Sequence, residues 1–224
     1  MLYRAKANLN LYSSTELNSL ATQARAGRLL RLPPEWEVGK EPLLVTLVED
    51  DYPAWLNPAD EASLAPTDEA YRYSPLSEAE IQTRIPAVIA FAEAAYKTPN
   101  EYLWGGTVAP NYDCSGLMQA AFWSEGIQLP RDAYQQEGFV QPVALEDLQV
   151  GDLVFFGPAE KAKHVGLYLG EGRYIHSSGK DIGRNGIGID ELRLDGEEVS
   201  RNYFSQWRTG GRVVESYRSK HINV

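Results

Sequence analysis

Cysteine is almost missing from this chain: 224 residues contain one, alongside only three histidines and two methionines. A single thiol excludes an intrachain disulfide and any metal site built on paired cysteines. No apolar run reaches the ~18 residues that a membrane-spanning helix needs. Positive charge is also scarce, with 21 Lys and Arg against 31 Asp and Glu and a formal net charge of −10. That balance argues against nucleic acid or an anionic membrane as a partner, since both need a basic surface. Short acidic runs such as Glu49-Asp50-Asp51 read as solvated faces. The first eight residues hold no apolar signal-peptide core, so a cytoplasmic product is expected. There is no internal repeat, and no oligomeric state is assigned.

What is present divides the chain in two. Thirteen Tyr, five Trp and 19 Gly point to strands and tight turns as well as helices. Segments 28–32, 42–48 and 54–56 read as strands between Gly, Pro and Asn/Asp breakers, at a spacing that fits a small β-barrel. Residues 1–75 carry no His or Cys and form the first expected domain, a binding or packing module. A linker rich in proline and acidic residues covers about 57–76. Ser77-Glu78-Ala79-Glu80 is a capping box. Ile81, Ile85, Val88, Ile89, Ala92 and Tyr96 follow at helical spacing, with Pro86 marking a kink or a second helix start. A further helix begins at Cys114, with Asp113 as its N-cap and Leu117, Met118, Ala121 and Phe122 on one face, and stops near Gly126. Then strands are expected at 151–157, 187–192 and 211–215, a hairpin at 164–169 and 173–176, and a short helix at 202–207. Helices followed by an antiparallel sheet make residues 76–224 an α+β domain.

The chemistry gathers around Cys114. A thiol at a helix start faces the positive end of the dipole, which is expected to favour thiolate. If Gly170-Glu171-Gly172 is a three-residue loop, His164 and His176 fall one diagonal step apart on the same sheet face. Packed against the start of the Cys114 helix, that face would supply a base and an orienting group for the thiol. His221, near the C-terminus, reads as a solvated residue of the tail.

The motifs Tyr102-Leu103-Trp104-Gly105-Gly106, Asp113-Cys114-Ser115-Gly116, Leu129-Pro130-Arg131-Asp132, His164-Val165-Gly166 and Ile175-His176-Ser177-Ser178 resemble, in content and order, the NlpC family of papain-like cell-wall peptidases. Residues 8–14 and 51–56 resemble the bacterial SH3-like barrels attached to such enzymes. The combination is most similar to γ-D-glutamyl-L-diamino acid endopeptidases. The resemblance implies Cys114 as nucleophile, His164 as base and His176 as the third polar residue. It implies substrate contacts from Tyr52, Tyr102, Asp113, Ser115, Arg131 and Asp132, with Ala133 standing where the motif often has serine. It implies no metal or organic cofactor, and a peptidoglycan-derived peptide with a free N-terminal L-Ala as substrate, in cell-wall recycling. Rival readings are an acyltransferase or lipid-directed hydrolase on the same scaffold, and a non-catalytic wall-binding adaptor.

Overall fold

The computed structural model describes residues 1–36, 39–69 and 71–220. Its first part is a sheet of seven short strands: β1 (Leu2–Ala5), β2 (Leu9–Tyr12), β3 (Leu20–Ala24), β4 (Leu29–Arg31), β5 (Leu43–Leu47), β6 (Pro53–Leu56) and β7 (Leu64–Pro66). Alternation along β5 buries Leu43, Val45 and Leu47 and turns Leu44 outward, the period of a sheet with one covered face. These side chains meet Leu9, Leu11, Leu30 and Leu56 in a core of their own.

The strands pair antiparallel in the order β3-β2-β6-β5-β4-β1-β7, and among the described residues β3 does not pair with β7. The sheet is therefore open, not the closed barrel expected. The β3 edge is occupied otherwise. The Gln23 side-chain oxygen accepts from the Thr107 and Val108 N–H groups at 3.0 and 3.1 Å, and the Gln23 carbonyl accepts from the Thr107 hydroxyl at 3.0 Å. An edge strand has unpaired backbone groups to satisfy, and here the Thr107 hydroxyl satisfies one of them, the Gln23 carbonyl.

That half begins with α1 (Glu78–Lys97), closed by the expected capping box: Glu80 Oε2 accepts from the Ser77 N–H at 2.8 Å. The helix runs on through Pro86, which lies on its exposed side, while Ile81, Ile85, Val88 and Ala92 line the buried side. A small ribbon, β8 (Thr107–Val108) and β9 (Asn111–Tyr112), leads into α2 (Cys114–Ser124). Then come α3 (Ala133–Phe139), β10 (Gln141–Val143), β11 (Leu153–Phe156), β12 (His164–Gly170), β13 (Arg173–Ser178), β14 (Gly186–Glu191), α4 (Glu198–Phe204) and β15 (Trp207–Arg212). The last strand thus starts four residues before the expected 211–215 and ends at Arg212. The short helix lies earlier than expected, leaving Trp207 in the strand.

The second sheet has the order β10-β15-β11-β12-β13-β14, and its two faces carry different cores. Leu153, Phe155, Val165, Leu167, Ile175 and Ile187 pack on α1 and α2. Val154, Phe156 and Tyr174, on the opposite face, pack on Val199 and Tyr203 of α4. Because side chains alternate along a strand, this split decides which face receives each histidine.

The Glu49-Asp50-Asp51 run is not a solvated face. Glu49 and Asp50 are buried and hold the buried Arg28 at 3.2 and 3.1 Å. Asp50 also accepts from Gln119 of α2 at 2.8 Å, and Asp51 accepts from Ser219 at 2.5 Å. Carboxylates become tolerable in a core when an arginine and several donors surround them, and these do so where the two sheets' halves meet.

Candidate active site

Asp113 starts α2 as expected, its Oδ1 accepting from the Gly116 N–H at 2.7 Å. A Cβ at Gly116 would collide with the Gly106 carbonyl, which explains the glycine of Asp-Cys-Ser-Gly. Cys114, the first helical residue, is 6 % exposed. The backbone of Val165 and of Ser115 acts on its sulfur in the direction of thiolate, so the thiol lies near the sheet one residue beyond His164. The expected acidic thiol is not found. Burial pushes Cys114 up to about 12, and the Asp113 charge adds to the rise. The carboxylate that caps the helix offsets its positive end just where the thiol sits.

The hairpin pairs Leu167 with Ile175 and Tyr168 with Tyr174, the register that puts both histidines on one face. It achieves this through a bulge after Tyr168, so that Gly170 pairs with Arg173 around a two-residue turn of Glu171 and Gly172, both at positive φ. A two-residue turn without the bulge would have separated the histidines. Their face is the α4 side, not the side packed on α2 as expected. Phe156 pairs with His164 in register, and the Tyr203 ring stacks on His164 with centroids 4.0 Å apart at 21°.

His164 Nε2 lies 2.6 Å from His176 Nδ1. Glycine makes the approach possible: a Cβ at Gly166 would lie 2.7 Å from the Tyr174 ring and 3.2 Å from the His176 Cβ. Burial, then the neighbouring His176, holds His164 well below the ordinary imidazole range. Burial lowers His176 too, against the opposing effect of its hydrogen bond to Asp190. The shifts at Cys114 and His164 favour a neutral thiol beside a neutral imidazole. The Tyr203 ring covers His164, and burial raises its hydroxyl against the opposing hydrogen bond with Ser178.

A cavity of about 490 Å³ opens onto Cys114, bounded by Leu20 and Ala21 of the N-terminal sheet, the starts of α2 and α3, and the 161–163 loop. Of the expected substrate contacts, Tyr52, Tyr102, Asp113, Ser115 and Asp132 line it. The Tyr52 hydroxyl donates to Asp132 at 3.3 Å, joining the N-terminal sheet to α3. Burial and then the Cys114 charge push the Tyr102 hydroxyl up, which keeps it protonated beside the thiol. Arg131 does not line the cavity. It is 1 % exposed and directs its nitrogens to Thr22 at 3.0 Å, Asp113 at 2.6 and 3.2 Å and Ser115 at 2.9 Å. It therefore holds two cavity residues, Asp113 and Ser115, from behind.

The sequence reading overlooked Asp190, Tyr203 and Gln136. Asp190 Oδ2 lies 2.7 Å from His176 Nε2, and its signal was a carboxylate at a buried position of an apolar, alternating strand. Gln136, fully buried, donates to the carbonyls of Ser115 and Pro130 at 3.1 and 2.9 Å. His221 lies outside the described residues.

Compared with known proteins, residues 99–212 match the model of the NlpC/P60 family. The gamma-D-glutamyl-L-lysine dipeptidyl-peptidase of Bacillus subtilis is 44 % identical over 86 residues, 36 % of this chain and 29 % of that protein. The murein DD-endopeptidase MepS/murein LD-carboxypeptidase of Escherichia coli K12 is 37 % identical over 78 residues, 34 % of this chain and 42 % of that one. The matches thus span less than half the length of either relative. A solved NlpC/P60 family protein from Bacillus cereus superposes on 95 % of this chain and 63 % of its own, with a TM-score of 0.51 and 24 % identity, a likeness of fold.

Proposed function

The chain belongs to the NlpC/P60 family, and from that premise we propose that it is a cysteine peptidase acting on peptidoglycan peptides. The bond we assign is the one between the γ-carboxyl of D-glutamate and a diamino acid such as diaminopimelate. The carrying observation is Cys114 at the head of α2, open to a cavity, with the hydrogen-bonded pair His164–His176 beginning one residue from its Val165 contact. The similarity to the gamma-D-glutamyl-L-lysine dipeptidyl-peptidase of Bacillus subtilis supports the same bond class.

With a neutral resting pair, the thiol loses its proton as it attacks. His164 Nδ1 accepts that proton while the sulfur adds to the γ-carbonyl. Backbone N–H groups at the helix start and the Tyr102 hydroxyl face the developing oxyanion, where losing one donor typically costs about 3 kcal/mol. The tetrahedral adduct collapses as His164 returns the proton to the leaving amine. Water, deprotonated by His164, then releases the acyl group. Tyr52, Asp113 and Asp132, all on the cavity wall, supply oxygens for the free amine of L-Ala. So small a cavity suits short fragments better than polymeric wall, which fits recycling inside the cell.

The test is turnover of L-Ala-γ-D-Glu-diaminopimelate, its N-acetylated form and a DD-cross-linked peptide by the protein and by Cys114→Ala. Cleavage of the first alone, abolished by the substitution, is expected. Equal turnover by the two proteins rejects the nucleophile. Equal cleavage of free and acetylated peptides rejects the amine pocket, and preferential cleavage of the cross-link rejects the assigned bond.

A further inference from the structure

An aspartate stands behind the hydrogen-bonded pair His164–His176. Asp190 is 4 % exposed, and its carboxylate receives His176 Nε2 and Arg184 Nη2, each at 2.7 Å, with the Ser200 hydroxyl at 3.4 Å. We propose that Asp190 is a positioning residue that fixes, through His176, which nitrogen of His164 is left bare for the thiol. The proposal rests on the reading of His164 as the base.

The logic is a count of protons. A carboxylate paired with arginine only accepts, so the 2.7 Å contact requires the proton of His176 on Nε2. A neutral imidazole has one N–H, so His176 Nδ1 is bare and accepts. The 2.6 Å contact between the rings then requires the proton of His164 on Nε2, and its Nδ1 is left as the free base. Reversing either ring sets two lone pairs, or two N–H groups, against each other at hydrogen-bond distance. With both rings neutral, only one arrangement of the three groups satisfies every contact. When His164 Nδ1 takes the thiol proton, the new positive charge is shared with His176 and faces the Asp190 carboxylate. Arg184, Tyr174 and Tyr203 are the other ionisable side chains around that carboxylate.

The chain's three histidines make the tautomers readable by nitrogen-15 NMR on resting Cys114→Ala protein without substrate. Both His164 and His176 are expected as Nε2–H. An Nδ1–H signal from either ring overturns the proposal, and the spectrum decides this whatever happens to the variants. In Asp190→Asn the amide also has donors, so both rings gain Nδ1–H population and kcat falls about 10²- to 10³-fold. That is somewhat less than the ~10⁴-fold of an aspartate bound directly to the base, and KM moves by less than about threefold. In a His176→Asn background the same change at Asp190 is expected to cost less than about threefold. An equal fall in both backgrounds means a merely structural role, and an unchanged kcat in Asp190→Asn means none; either result overturns the proposal. Failure of the peptidase reading would instead show as turnover independent of Cys114, with the ring signals as expected.

Discussion

Replacing Arg131 by methionine removes one guanidinium while keeping most of the side chain's volume. The arginine is 1 % exposed and holds both oxygens of Asp113, the Ser115 hydroxyl and the Thr22 hydroxyl of the N-terminal sheet. Breaking a buried ion pair from one side costs about 3–5 kcal/mol, because the other charge stays buried without its partner. Asp113 is not left bare, since Gly105 and Gly116 N–H groups still donate to it at 2.9 and 2.7 Å. That places the expectation at the lower end, about 3 kcal/mol. For a chain of this length each kcal/mol moves Tm by roughly 2–4 °C, so a fall of about 6–12 °C should appear in calorimetry. The double variant Arg131→Met/Asp113→Asn removes the stranded charge and should recover about 1–3 kcal/mol relative to additivity. A single variant within 2 °C of the parent, or a strictly additive double variant, would refute the reasoning.

Two further expectations follow from the histidine pair. His164 and His176 are held below their ordinary range in the folded protein, while in the unfolded chain they titrate near ~6.5. The unfolded state therefore binds more protons below that pH, and stability falls on acidification. Urea midpoints at pH 7.5 and 5 should show a larger loss for the parent than for His164→Asn; equal losses would contradict the buried, neutral ring. Gly166→Ala puts a methyl group 2.7 Å from Tyr174 and 3.2 Å from the His176 Cβ, an overpacking of about 1–3 kcal/mol, and should depress kcat by displacing His176, as steady-state kinetics on the tripeptide would reveal.

Local signals carried much of the architecture. Ser77 and Glu80 form the capping box that their spacing announces, and Asp113 caps a helix whose first residue is Cys114. The hairpin register was legible because the apolar positions Leu167 and Ile175 must share a face, although the turn reached that register through an unforeseen bulge. The open N-terminal sheet was not legible. Whether edge strands close on each other or pair elsewhere depends on Thr107 and Val108, more than 80 residues downstream of Gln23. The acidic run at Glu49 was misread for a similar reason, since its solvation is replaced by Arg28 and Gln119.

Residue type and spacing alone determined that a lone thiol would begin a helix, because caps and periodicity act over a few residues; the shared face of the two histidines needed the bulge after Tyr168 as well. Tertiary packing alone decided which face that was, what stood behind it and how acidic the thiol would be. Those properties depend on burial and on charges such as Asp113, Arg131 and Asp190, whose partners are chosen only when distant elements close around them.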